Sequence, residues 1–347
     1  MFEKNLKYFR LKKKMSKKDL AEMCGITPMA ISNYESGKRV PDMETINKLA
    51  AALGVYVADF LDSRNDQLVF SHCEFRKKSK LTKTEQEFVR ESVEEYFSRF
   101  FDAIECLGGN PLPEPVKCHD LDLSSDYQKN ASELRRYLKL SSSGPVDELT
   151  AVLENLGILI FEIEMDNDSF AGMNGTVNGY PYIVINKNIR PERKRTTIIH
   201  ELSHIMFNWS GISDEDQEKM STAIAGAFLI SNDDLFRELG PRKSKLTKDL
   251  ILVCEEYGIS MYLLVLRANQ VGIMNDGLTR EFYIKANKAN WREKEPSRVK
   301  EPEKPMLFKQ LVYRAINEEG ISIQKGAEFL GIPTSEMNEY CGLMEVL

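Results

Sequence analysis

The sequence predicts a mainly α-helical fold with a small β-sheet, an α+β architecture divided over several domains. Residues 1–61 show short apolar repeats at helical spacing, punctuated by Ser, Thr-Pro and Gly at cap positions. Two β-rich runs, GILIFEIE and YPYIVIN, flank a Gly/Asn/Asp-rich segment and read as a small antiparallel sheet. The 347 residues exceed what one compact core holds. Four parts are expected: an all-helical domain over 1–65, a helical connector over 66–125, the sheet-bearing domain over 126–280, and a charged linker with a helical C-terminal element over 281–347.

Composition excludes several classes. With 42% hydrophobic and 29% charged residues the chain reads as globular, and no apolar run approaches the roughly 18 residues of a membrane span. The N-terminus MFEKNLKYFRLKKK lacks the continuous apolar stretch of a signal peptide, so a cytoplasmic location is expected. The six cysteines stand singly without CxxC spacing, which argues against a disulfide framework and a zinc knuckle. The net charge of −6 argues against nucleic acid only if it is evenly spread. It is not: residues 1–61 hold 11 Lys/Arg against 7 Asp/Glu, a net of +4, which leaves −10 for the remainder. A basic module preceding an acidic body suggests a nucleic-acid-binding end.

In that module Leu6, Phe9 and the stem of Arg10 share one helical face, and Ser16 caps a second helix that Gly25 ends. Thr27-Pro28 starts a third helix through Ile31 and Tyr34 to Ser36-Gly37. Two short helices joined at a tight glycine turn make a helix-turn-helix. After Pro41, the apolar residues Ile46, Leu49, Ala50, Leu53, Val55 and Phe60 predict two further helices. SKKDLAEMCGITPMAISNYESGKRVPDMETINKLAAALGV resembles the phage-repressor (Cro/CI-like, XRE) family over about residues 4–61. The resemblance implies a dimer on a double-stranded operator, with the third helix in the major groove. Thr27, Met29, Ser32 and Asn33 would face base edges, and Ser16, Lys17, Lys18, Lys38 and Arg39 would meet phosphates. Lys18 stands near where many relatives have Gln, and Arg10 with Glu35 resembles the family's internal ion pair.

In the connector, Thr82 and Glu85 have capping-box spacing ahead of a helix whose apolar face runs from Phe88 to Ile104. The pairs His72-Cys73 and Cys118-His119 lack zinc-finger spacing and read as incidental packing. Helices are expected from Ser132 and over Val146–Leu156, followed by the two β-rich runs.

The chemistry concentrates in ERKRTTIIHELSHIMF. His200 and His204, four apart on a helix, lie one above the other and can ligate one Zn²⁺, with Glu201 one step round as general base to a bound water. The apolar flanks indicate a buried helix, where two unpaired histidines would be costly. Catalytic zinc takes a third protein ligand. A helix over Gln217–Leu229, rich in small residues, follows the loop NWSGISDED, and Glu218 near its start is the best third ligand, with Asp214, Glu215 and Asp216 as rivals on the loop.

The stretch RTTIIHELSHIMF…EKMSTAIAGAFLIS…YGISMYLLVLRANQVGIM resembles the ImmA/IrrE family of metallopeptidases over about residues 130–275. Glu218 falls on the first position of that family's E-x-x-A-N helix, and Arg267 and Gly272 fall where the family has them. Departures are Ser203 for Gly, Ser221 for Ala, Thr222 for Asn, Ile224 for Phe and Ser231 for Pro. The resemblance implies a zincin-like domain holding one Zn²⁺ per chain, and limited cleavage of a repressor or other regulator in a stress, prophage or mobile-element switch. Tyr257 and Tyr262 are candidate oxyanion donors by proximity along the chain. The competing expectation is a non-proteolytic, antitoxin-like or ligand-sensing repressor.

Residues 281–305 read as a flexible link. Beyond it, Ser322, Ala327, Glu328, Gly331 and Ile332 repeat the spacing of Ser16, Ala21, Glu22, Gly25 and Ile26. Residues 306–347 carry 3 basic against 6 acidic side chains, the wrong sign for a phosphate surface, so this echo is expected to be a packing or dimerisation element.

Overall fold

The computed structural model describes residues 1–72, 81–298 and 303–342. The chain forms two compact units, one from residues 1–111 with the segment from Phe308 onward, the other over Leu112–Leu307. Among the described residues no helix is long and apolar enough to cross a membrane.

The first unit opens with α1 (Phe2–Lys12), α2 (Lys17–Cys24), α3 (Pro28–Glu35) and α4 (Met43–Leu53). Ser16 and Asp19 close a capping box at the start of α2, and Gly25 ends it at φ 67°, a left-handed conformation that only glycine adopts without strain. Thr27 accepts from the Ala30 amide at 3.2 Å, and Pro28 takes the first helical position of α3. Leu6, Leu20, Ile31, Leu49, Leu53 and Phe60 fill the core these helices enclose. The fifth helix expected after α4 is a single 3-10 turn, Ala58–Phe60. Only Phe60 of that turn is buried, so no apolar stripe extends it.

A short strand β1 (Phe70–His72) precedes α5 (Lys83–Glu105), whose Thr82–Glu85 capping box forms as expected. Cys73 lies outside the described residues. His72 Nε2 lies 3.5 Å from Glu94, so this histidine pairs within its own unit.

In the second unit α6 (Tyr127–Tyr137) and α7 (Leu149–Glu154) precede the strands β2 (Leu159–Ile163), β3 (Gly172–Val177) and β4 (Tyr180–Asn186). β3 and β4 form an antiparallel hairpin across Asn178-Gly179, both at positive φ, as the strand twist favours. β2 and β4 are parallel, in register from Leu159–Tyr182 to Ile163–Asn186. The expected antiparallel pairing of the two β-rich runs is therefore corrected. The Gly/Asn-rich segment between them supplies a strand of its own, and that intervening length permits the parallel crossover.

Next come α8 (Pro191–Met206), α9 (Asp214–Leu229), α10 (Asn232–Leu239), α11 (Asp249–Tyr257), α12 (Met261–Gln270) and α13 (Asp276–Lys288). α8 buries Ile198, Ile199, Leu202, Ile205 and Met206 in the main core. α9 starts three residues earlier than expected because Ser213 caps it, so Asp214, Glu215 and Asp216 form its first turn rather than a loop. Arg135 of α6 holds the far end of α9, donating to the Phe228, Ser141 and Gly144 carbonyls at 2.7, 3.0 and 2.9 Å. The boundary expected at residue 280 falls inside α13, whose Phe282 and Ala286 are buried in this core. The segment expected as a flexible link thus begins as a packed helix, and Glu303 at its far end pairs with Arg195.

The echo of the first helices is structural. α14 (Leu307–Asn317), α15 (Ile323–Leu330) and α16 (Thr334–Cys341) complete the first unit. Ser322 caps α15 and Gly331 ends it at φ 64°, as Ser16 and Gly25 do for α2. At Gly326 a Cβ would lie 2.5 Å from Ile316 Cδ1, so a side chain there would have to displace Ile316 on α14. Phe308 packs on Tyr96 and Phe100 of α5, ring centroids 5.2 and 5.4 Å apart, and Arg99 donates to the Phe329 carbonyl.

Candidate functional site

α8 places His200 and His204 one turn apart on the face towards α9, their ring centroids 4.9 Å apart. Glu218, in the second turn of α9, meets both. Its Oε2 lies 3.3 Å from His200 Nε2, its Oε1 3.3 Å from His204 Nε2, and the two Nε2 atoms are 3.3 Å from one another. Among the described residues this is the one group of three His, Cys, Asp or Glu whose donor atoms converge as a metal site requires. Two imidazole nitrogens and a carboxylate at about 2.0–2.1 Å from a tetrahedral ion stand roughly 3.3–3.4 Å apart, the edge of that tetrahedron. The two nitrogens stand this far apart and each has an oxygen of the Glu218 carboxylate at the same distance, Oε2 for His200 and Oε1 for His204, and the donor set of two imidazoles and a carboxylate suits zinc. The residues present fit the ion.

Asp214, Glu215 and Asp216 do not join the group: Asp216 closes the cap with Ser213, and Glu215 pairs with Lys219 at 2.9 Å. The surroundings order the side chains of His200, His204 and Glu218. Thr222, one turn beyond Glu218, places its Oγ1 3.3 Å from His200 Nδ1 and donates to the Glu218 carbonyl at 2.8 Å. Trp209 lies against the His204 ring at 5.5 Å, and its indole N–H donates to the Ser203 carbonyl at 3.2 Å. Ser203, where ImmA/IrrE relatives often have glycine, is fully buried and donates to the Ile199 carbonyl at 2.7 Å.

Glu201 is 5% exposed, and its Oε2 accepts from Asn174 Nδ2 at 2.8 Å. Asn174, on β3, was not among the sequence candidates. No spacing links it to α8, and its position shows only once the hairpin is folded. Of the tyrosines considered as oxyanion donors, the Tyr257 hydroxyl is committed to Arg237 and Glu238, whereas Tyr262 packs its ring against Phe282 and Tyr283 and its buried hydroxyl has no hydrogen-bond partner among the described residues. Burial, followed by the nearby Asp234 and Glu238, pushes the Tyr257 phenol well above its ordinary range. Arg267 anchors α12, donating to Asn232 and Gln270, each at 2.9 Å. His119 Nδ1 lies 2.9 Å from the Phe207 carbonyl, outside the ligand group.

In the first unit α3 presents Thr27 and Met29 to solvent, with Met29 68% exposed, and Ser32 and Asn33 half-buried. Lys38 and Arg39 follow α3 and are exposed; their amides donate to the Asn33 carbonyl at 3.0 and 3.3 Å. Lys18 is exposed beside Glu22. Lys17 is the most constrained of the basic candidates: its ammonium lies 3.3 Å from Ser32 Oγ and 3.5 Å from Glu35. Glu35 is buried against Arg10, whose Nη2 donates to Oε2 at 3.0 Å, the ion pair expected between α1 and α3.

Comparison with known proteins agrees with both halves. A helix-turn-helix family model matches residues 6–60, and an IrrE N-terminal-like domain model matches residues 153–269. The chain is 36% identical over 70 residues to the uncharacterized HTH-type transcriptional regulator YqaE of Bacillus subtilis, covering 20% of this chain and 60% of the relative. It is 43% identical over 61 residues to the SPbeta prophage-derived uncharacterized HTH-type transcriptional regulator YonR of Bacillus subtilis, 18% of this chain and 56% of that one. It is 40% identical over 52 residues to multiprotein-bridging factor 1 of Candida glabrata, 15% of this chain and 34% of that one. The chain therefore spans between 34% and 60% of the length of these relatives. With α2, α3 and α4 inside the first matched stretch and the His-His-Glu cluster inside the second, the chain joins a helix-turn-helix domain of XRE type to an IrrE N-terminal-like domain.

Proposed function

We propose that this protein is a DNA-binding transcriptional regulator carrying a zinc-dependent endopeptidase, which cleaves a repressor or other regulatory protein in a stress, prophage or mobile-element switch. The observation that carries the reading is the convergence of His200 Nε2, His204 Nε2 and the Glu218 carboxylate, the two nitrogens 3.3 Å apart and each 3.3 Å from one carboxylate oxygen, with the buried Glu201 beside them. His200, His204 and Glu218 would hold one Zn²⁺, which supplies Lewis acidity towards a scissile carbonyl and makes water nucleophilic near neutral pH. Asn174 holds Oε2 of Glu201, so Oε1 remains to take the proton from the attacking water and pass it to the leaving amine. In the first unit Thr27, Met29, Ser32 and Asn33 would read base edges in the major groove, and Ser16, Lys17, Lys18, Lys38 and Arg39 would contact phosphates, in a cytoplasmic homodimer on a palindromic operator. The hydrogen bond of Lys17 to Ser32 links the two sets, since it sets a phosphate-facing cation beside a base-facing hydroxyl.

Glu201→Gln tests the reading. The variant should keep its zinc and its DNA binding while losing cleavage of the regulator and release of the regulated promoter. Unchanged promoter release in Glu201→Gln would rule the peptidase out and leave a non-proteolytic repressor with a sensory second unit.

A further inference from the structure

We infer that Thr222 is a positioning residue for the metal centre, fixing the imidazole of His200 as its Nδ1–H tautomer. This rests on the zinc reading above and names a residue that the ligand set does not include. Thr222 Oγ1 lies 2.8 Å from the Glu218 carbonyl and 3.3 Å from His200 Nδ1. A backbone carbonyl only accepts, so the single hydroxyl proton of Thr222 is committed to Glu218. Towards His200 the hydroxyl oxygen is then an acceptor, and Nδ1 must carry the proton. Nε2 is left as the lone-pair nitrogen, and Nε2 is the atom facing Glu218 and His204. The hydroxyl orders two ligands at once, because its donor side is on the backbone of Glu218 and its acceptor side on the ring of His200. The ImmA/IrrE relatives place Asn at this position. A side-chain amide oxygen can accept from Nδ1–H in the same way, so the departure keeps the acceptor while changing the residue.

The test is zinc affinity of the full chain, measured by competition with a chromophoric chelator. Thr222→Val keeps the shape and removes the oxygen; it should weaken zinc about 10–100-fold, the usual cost of losing such a partner. Thr222→Ser and Thr222→Asn, which keep an acceptor, should stay within about threefold of wild type. In nitrogen-15 imidazole spectra of the zinc-loaded protein, the His200 Nδ1 proton should exchange slowly with solvent in wild type and faster in Thr222→Val. Wild-type zinc binding retained in Thr222→Val, or equally fast exchange of the Nδ1 proton in wild type and Thr222→Val, overturns the role of Thr222 and leaves the metal centre standing. A wild-type chain that binds no zinc overturns the metal centre itself and this role with it. Circular dichroism matching wild type certifies each variant, and Thr222→Ala replaces the valine variant if that one does not fold.

Discussion

Glu154 makes the stability of the second unit depend on pH in a direction opposite to most carboxylates. It is 7% exposed at the end of α7, and its Oε2 accepts the amides of Met306 and Leu307 at 3.1 and 3.2 Å. Burial raises its pKa from 4.5 to about 7, and the two amides offset only part of that effect. Between those values the folded form holds a proton that the unfolded chain has lost, so stability falls as pH rises through this window. The gap, at about 1.4 kcal/mol per pH unit, corresponds to about 3 kcal/mol, fully present below pH 4.5 and lost by the time the pH has passed about 7. Glu154→Gln keeps an oxygen for the two amides and removes the titration. Relative to wild type, the variant should therefore gain most of that 3 kcal/mol between pH 5 and 8. Urea unfolding followed by tryptophan fluorescence measures it cleanly, because the two tryptophans, Trp209 and Trp291, both lie in the second unit. EDTA in every sample keeps metal occupancy constant. A difference between variant and wild type that stays flat within about 0.5 kcal/mol from pH 5 to 8 would refute the reasoning.

Arg10→Ala leaves the Glu35 carboxylate buried with Lys17 as its remaining cation at 3.5 Å, and should cost the helix-turn-helix core about 3 kcal/mol. Hydrogen exchange of amides in residues 2–60 reads this, and unchanged protection would contradict it. Lys38→Ala should weaken binding to all duplexes alike and lower the salt slope of log K by about 1, whereas Met29→Ala and Ser32→Ala should change base preference at an unchanged slope. Fluorescence anisotropy over a salt series, on duplexes selected from a random pool, separates the two. An unchanged slope for Lys38→Ala would remove it from the phosphate contacts.

Much of the centre is legible in sequence because its geometry is local. His200 and His204 share a helix face by spacing alone, and Glu218 follows from the next helix and its small residues. Asn174 is not legible: it reaches Glu201 from β3, and only the hairpin and the packing of α8 on the sheet bring the two together. Thr222 looks like an ordinary helix residue until its distance to His200 is known. Charge misleads over residues 281–305, where Lys, Arg and Glu outnumber apolar residues but Phe282 and Ala286, four apart, are enough to bury a helix. Parallel pairing of β2 with β4 is likewise a long-range outcome, invisible to the alternation within either strand.

The pairing of Arg99 with Phe329 spans 230 residues. At about 5–20 residues per second, a ribosome needs on the order of 10–45 s to travel that length. α1 to α4 can close their own core early, whereas Tyr96 and Phe100 meet Phe308 only after the whole IrrE/ImmA-like domain has been made. A nascent chain in this interval carries a bare aromatic face on α5. The DNA-reading unit, built from both ends of the chain, is thus the first to begin folding and the last to finish.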